Sequence, residues 1–110
     1  MDHSVTPQEL LQALASATPP MVIDVRRSAR FDEAADMIAG AGHRDPELLA
    51  DGMAALPRDR AIVVYCVHGH EVSQNAARVL REAGLRARYL EGGIEGWRAA
   101  GGPMAMKPVR

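Results

Sequence analysis

Cys66 is the only cysteine in the chain. It stands where the run Ile62-Val63-Val64-Tyr65 gives way to Val67-His68-Gly69-His70-Glu71-Val72, after which alanines and leucines return with helical spacing. A thiol reacts as its thiolate, and a thiolate needs an environment that favours negative charge. A strand end, a glycine-bearing loop and a helix start can supply one. Gly69 lets the loop curl so that successive N–H groups point inward. The first helical turn adds unpaired donors and the positive end of its dipole. Cys66 is therefore the candidate nucleophile and residues 67–72 the candidate anion cradle. A buried, inert cysteine is the competing reading for an arbitrary strand, and the strand-end position and the glycine weigh against it.

The histidines beside the cysteine invite a metal reading. His68, His70 and Cys66 fall within five positions of a tight loop and point in different directions, and no second cluster completes a tetrahedral set. No metal and no cofactor is expected. The two imidazoles are expected at the mouth of the site, where protonation would add positive charge near the sulfur. Trp97 reads as core and the six methionines as gap-fillers. His3 and His43 carry no usable signal.

The elements that must position this loop are short. Thr6, Pro7 and Glu9 have the form of a capping box with proline at the first helical position, and Leu10, Leu11 and Leu14 continue an apolar stripe. "MVIDV" (21–25) and "AIVVYC" (61–66) are apolar runs of the kind buried on both faces of a parallel sheet. Residues 26–45 read as a long connection with one helical turn near Phe31–Ala35. Asp45-Pro46-Glu47 opens a helix ending near Pro57. A further helix runs from Val72 or Ser73 to Ala83, with Gly84 as its C′ residue. "RARYL" (86–90) reads as a strand, Gly92-Gly93 as a turn and "IEGWRAA" (94–100) as a last helix. Residues 101–110 read as a flexible tail of a single domain spanning 1–110. Strands alternating with helices imply an α/β fold, with ligands at the carboxyl ends of the strands.

Composition narrows the partners. With 47 % hydrophobic but 4 % aromatic residues, the core must be aliphatic. Thirteen basic against fourteen acidic residues leave a net charge of −1 and no basic run, which argues against nucleic acid or a membrane surface. No segment approaches the ~20 apolar residues of a membrane span, and "MDHSVTPQELL" has no charged-then-apolar leader. A lone cysteine cannot form an internal disulfide. These features point to a cytoplasmic protein.

Three stretches, "VIDVR" (22–26), "YCVHGHEVSQNAARVLREAG" and "YLEGGIEGW", resemble the single-domain rhodanese-like sulfurtransferase family. The resemblance implies a three-layer α/β/α domain around a small central parallel sheet. It also implies a thiosulfate sulfurtransferase chemistry in which Cys66 takes the outer sulfur of thiosulfate, or of another persulfide donor, as a persulfide. A thiophilic acceptor, either cyanide or a thiol, then removes it; a protein persulfide donor is a further partner. Asp24 and Arg26 match the family's D-x-R pattern, read as a buried charge pair or a substrate contact.

Two departures from the family pattern matter. The Ala76-Ala77 pair falls one position late, which suggests a seven-residue loop, Cys66 to Val72, unless the helix register is shifted instead. Roomier loops mark related phosphatases and arsenate reductases, but those close the loop on an arginine, where this chain has Glu71 and Val72. Arg30 is the candidate cation to stand in for it. The "GHIPGA"-type stretch that usually follows "DVR" is also missing. An oxyanion-directed enzyme on the same scaffold, or a sulfur-carrier module without turnover, are the alternative readings.

Overall fold

The computed structural model describes residues 3–107. Its centre is strand β5 (Ile62–Tyr65), every residue of which is buried, as its unbroken apolar sequence requires. Around it lie β1 (Ser4–Val5), β2 (Met21–Asp24), β4 (Gly42–His43) and β6 (Ala87–Leu90), in the order β1-β6-β5-β2-β4. All four pairings are parallel, with Val22 opposite Val63, Asp24 opposite Tyr65 and Val63 opposite Arg88.

Alternation along the strands divides the core in two. Val22, Val63, Tyr65 and Leu90 point to one face, where they meet Leu10 of α1 (Pro7–Leu14) and Ile94 and Trp97 of α4 (Gly93–Ala99). Ile23, Ile62, Val64 and Ala87 point to the other, against Ala76, Ala77 and Leu80 of α3 (Glu71–Glu82). Leu49 and Leu56 extend that second face from and just after a 3₁₀ segment over Pro46–Ala55. The result is the expected α/β/α three-layer domain. The capping box of α1 forms as read: Thr6 N donates to Glu9 Oε1 at 2.9 Å and Glu9 N to Thr6 Oγ1 at 3.1 Å. No described helix is long and apolar enough to cross a membrane.

Three expectations change. Residues 26–45 are not a loose connection, since α2 (Ser28–Glu33), β3 (Asp36–Ile38) and β4 occupy them. Phe31 anchors α2 by burial and stacks on His43 with ring centroids 3.8 Å apart. Asp45 accepts from both the backbone N–H and the hydroxyl of Ser28. These are tertiary contacts that no local periodicity announces. The helix expected after Asp45 keeps its cap, with Glu47 N on Asp45 Oδ1 at 2.9 Å, but its body winds as 3₁₀ turns that run through Gly52, a poor α-former.

The third change concerns the tail expected over 101–110. Met104–Met106 form β7, paired antiparallel with β3 so that Met37 faces Ala105. Trp97 Nε1 donates to the Pro103 carbonyl at 2.9 Å and Lys107 N to Ala35 O at 3.2 Å, so the chain is held up to Lys107. β3 lies outside the main sheet and its ladder groups need a partner, which β7 provides. Residues 108–110 of the expected tail lie outside the described residues.

β3 is also tied to α4, because Arg98 donates to Asp36 at 2.7 and 3.2 Å. These hydrogen bonds, and the charge of Arg98, hold the Asp36 carboxyl below its ordinary value despite some desolvation. A depressed carboxyl contributes stability that is complete above the unfolded value of ~3.9 and is lost as pH falls through the lower folded value. Asp36→Asn should therefore lower stability at pH 7 by ~0.5–1 kcal/mol, the range of a partly exposed pair, and flatten the loss of stability below about pH 4. Urea unfolding across that range checks both.

Candidate active site

Cys66 follows β5 directly and sits at the carboxyl edge of the sheet, 7 % exposed. Helix α3 begins at Glu71, one or two residues earlier than its apolar spacing suggested, with His70 as N-cap. The seven-residue loop from Cys66 to Val72 is thus corrected to a five-residue turn, Cys66–His70, with Glu71 and Val72 in the first helical turn. Glu71 is exposed there and Val72 only partly buried against the core, so the apolar periodicity could not locate the helix start.

The turn is shaped by what its carbonyls do. Cys66 O accepts from Ile94 N at 2.9 Å and Val67 O from Glu95 N at 3.1 Å, which satisfies donors at the start of α4. Gly69 O accepts from Gln74 Nε2 at 3.1 Å, and His70 O accepts from Gln74 N at 3.1 Å. Four acceptors are thereby occupied by the helices. The N–H groups of residues 67–72 find no acceptor among the described residues. Such a turn offers donors and withholds acceptors, which is the electrostatic signature of an anion site.

Two glycines make this contact possible. Gly69 has φ +74° and Gly93 φ +60°. A Cβ on Gly93 would lie 2.5 Å from the carbonyl oxygens of Cys66 and Val67, and one on Gly69 would lie 2.7 Å from Gly92 N. Backbone packs directly on backbone here, and only glycine fits at either position.

A cavity of about 380 Å³ opens over the sulfur. Val67, His68, His70, Glu71 and Val72 line it from the turn and α3, and Arg26, Arg27, Ala29 and Arg30 from the β2–α2 side. The expected site residues are therefore brought together around Cys66, except Gly69, which is buried behind the wall against Gly92–Gly93. The rings of His68 and His70 are exposed and 6.2 Å apart. Arg30 is 73 % exposed and lies 3.9 Å from Glu33. Arg26 is different in kind. Its side chain is 3 % exposed, Nε donates to Asp24 Oδ2 at 2.9 Å, and one terminal nitrogen donates to Asp24 Oδ2 at 2.6 Å and to Asp36 O at 3.0 Å.

Three contributors were not singled out in the sequence. Ser73 is fully buried and accepts from Cys66 Sγ at 3.2 Å, and its signal is a polar residue on the apolar face of a helix. Tyr65 donates to Asp24 Oδ2 at 2.8 Å and accepts from Ile38 N at 3.2 Å. Arg27 lines the cavity, and nothing but its adjacency to Arg26 marked it. Burial alone would lower the Arg26 guanidinium, but its hydrogen bonds to Asp24 and that carboxylate's charge more than offset this, leaving it raised. Burial, and then the Asp24 charge, push the Tyr65 phenol well above its usual range, so it stays a donor.

The family model of the rhodanese-like domain matches residues 6–100. The chain belongs to the rhodanese-like family of sulfurtransferases. Among curated proteins it is similar to the thiosulfate sulfurtransferase GlpE of Stutzerimonas stutzeri, at 37 % identity over 88 % of this chain and 86 % of that protein. It is also similar to a sulfurtransferase of Allochromatium vinosum, at 30 % identity over 94 % and 95 % of the two chains. Among solved structures, a rhodanese-related protein from Thermoplasma volcanium superposes with a TM-score of 0.81 at 27 % identity, covering 96 % of this chain and 99 % of that one. In this rhodanese-like chain the "LEGGIEGW" stretch has a physical role: it supplies the glycine and the helix start on which the cysteine turn rests.

Gly93→Ala should therefore destabilise the protein by more than the ~1–3 kcal/mol of a left-handed alanine alone, because a collision is added. Gly101 has φ +80° with nothing near its would-be Cβ, so Gly101→Ala should show the backbone strain only. Thermal unfolding of the two variants side by side separates these contributions.

Proposed function

We propose that this protein moves sulfane sulfur from thiosulfate, or another persulfide donor, to a thiophilic acceptor through a persulfide on Cys66. The observation that carries this reading is the turn that follows Cys66, whose carbonyls are all engaged by α3 and α4 except at His68, while its N–H groups have no acceptor among the described residues. The names of the relatives support the donor class.

In the first half-reaction the Cys66 thiolate attacks the outer sulfur of thiosulfate. The S–S bond of thiosulfate breaks, its electron pair leaves with sulfite, and Cys66 retains the outer sulfur as a persulfide. In the second, the acceptor attacks that sulfur, and the Cys66–sulfur bond breaks with its pair returning to the thiolate. Cyanide would leave as thiocyanate and a thiol as its own persulfide. Two displacements through one covalent intermediate give ping-pong kinetics. The turn donors hold negative charge in thiolate and persulfide alike, so the same cradle serves both half-reactions. Arg26, committed to Asp24, acts in this scheme by fixing the wall, whereas Arg27 and Arg30 supply accessible positive charge. The lone thiol suits a reducing cytoplasm. An oxyanion-directed reading has less support, because Glu71 and Val72 occupy the place where such enzymes present an arginine to grip the oxyanion in bidentate fashion.

Intact-protein mass spectrometry after incubation with thiosulfate should show one added sulfur atom that cyanide removes. Cys66→Ser should show none and lose sulfur transfer by on the order of 10³-fold or more while unfolding like the wild type. Transfer retained by Cys66→Ser overturns the assignment. Loading from a protein persulfide but not from thiosulfate would move the protein to the carrier class.

A further inference from the structure

The cavity over Cys66 is larger than thiosulfate needs. At roughly 30 Å³ for each water-sized group, about 380 Å³ has room for about a dozen heavy atoms. Its charges are also arranged unevenly. Arg27 and Arg30 line it from the β2–α2 side, and Glu71 lines it from the first position of α3. Glu71 is exposed and has no hydrogen-bond or ion-pair partner among the described residues, and the Arg27 side chain has none either. A carboxylate at a helix start is stabilised by the dipole wherever it points. Here, however, it lines the same cavity as the reacting cysteine, and it works against a small dianion.

We propose that the sulfur acceptor is a zwitterionic α-amino thiol of about amino-acid size, whose ammonium is read by Glu71 and whose carboxylate is read by Arg27 and Arg30. This rests on the persulfide cycle proposed above and names the substrate of its second half. The acceptor thiol gives its proton to water. That proton passes through water to the outer sulfur of the Cys66 persulfide, the acceptor thiolate attacks this sulfur, the Cys66–sulfur bond breaks with its electron pair returning to the Cys66 thiolate, and the acceptor leaves as its own persulfide. Opposite charges presented to one cavity by two different elements give such a molecule two anchors beside Cys66, and a thiol lacking either charged group loses one of them.

The test is the rate of discharge of preformed Cys66 persulfide by cysteine, by 3-mercaptopropionate, which lacks the ammonium, and by cysteamine, which lacks the carboxylate. Wild-type rates are compared with those of Glu71→Gln, Glu71→Lys and Arg27→Gln, so that the intrinsic nucleophilicity of each thiol cancels. Glu71→Gln should lower the preference for cysteine over 3-mercaptopropionate by about tenfold, equivalent to ~1.4 kcal/mol. Glu71→Lys should reverse it, and Arg27→Gln should erode the preference for cysteine over cysteamine. Equal preferences in wild type and variants, with the persulfide still forming and still discharged by cyanide, overturn the acceptor assignment alone. No persulfide from any donor overturns both this inference and the sulfurtransferase reading beneath it.

Discussion

The contact of the cysteine turn with the Gly92–Gly93 backbone is the constraint on which the site depends. Ile94 N and Glu95 N reach the carbonyls of Cys66 and Val67 because no side chain stands between the two segments. Helix starts leave donors that must be satisfied somewhere, and α4 satisfies two of its own on the turn. The arrangement has a second effect. By drawing carbonyls toward α4 it turns the peptide planes so that negative dipole ends face away from the cavity. One set of hydrogen bonds thus caps a helix and sets the polarity of the site.

The other wall is held by charge. Asp24 receives the backbone and guanidinium N–H groups of Arg26 and the hydroxyl of Tyr65, all in the buried interior. Buried charges are tolerated when each is paired and hydrogen-bonded, and every group in this cluster is. Tyr65 precedes the nucleophile, so the cluster locks the end of β5 to the end of β2 and, through the carbonyl of Asp36, to β3. Beyond it, Arg26 Cζ lies 5.4 Å from the Phe31 ring centroid, and Phe31 stacks on His43, whose Nε2 is 2.8 Å from the carbonyl of Arg26. The exposed Arg27 and Arg30, at the start of α2 and within it, therefore project from a rigid base.

Much of this was legible in the sequence, for reasons that differ by residue. Cys66, Gly69 and the β5 run were readable because local chemistry and backbone freedom are local properties. The capping box of α1 was readable because it is a reciprocal pair three residues apart. Asp24 and Arg26 could be seen as a pair, but Tyr65, their third partner, lies across the sheet and no spacing reveals it. β7 was missed because Met-Ala-Met lacks β-branched residues and is ordered by the open edge of β3. The ten-residue 3₁₀ segment was misread as a helix ending near Pro57 because its cap signature is shared by both helix types. Ser73 and Arg27 became meaningful only when the turn brought α3 and α2 to the same opening.

The antiparallel pair at the end of the described chain has a mechanical consequence. Force applied beyond Lys107 enters through β7, passes to β3, and reaches the guanidinium of Arg26 through the single hydrogen bond that it donates to the carbonyl of Asp36. Force applied ahead of His3 enters instead at β1, the sheet edge two strands away from β5. A surface tether or bulky passenger on the first side pulls on the platform of the nucleophile, whereas one on the second strains only an outlying strand.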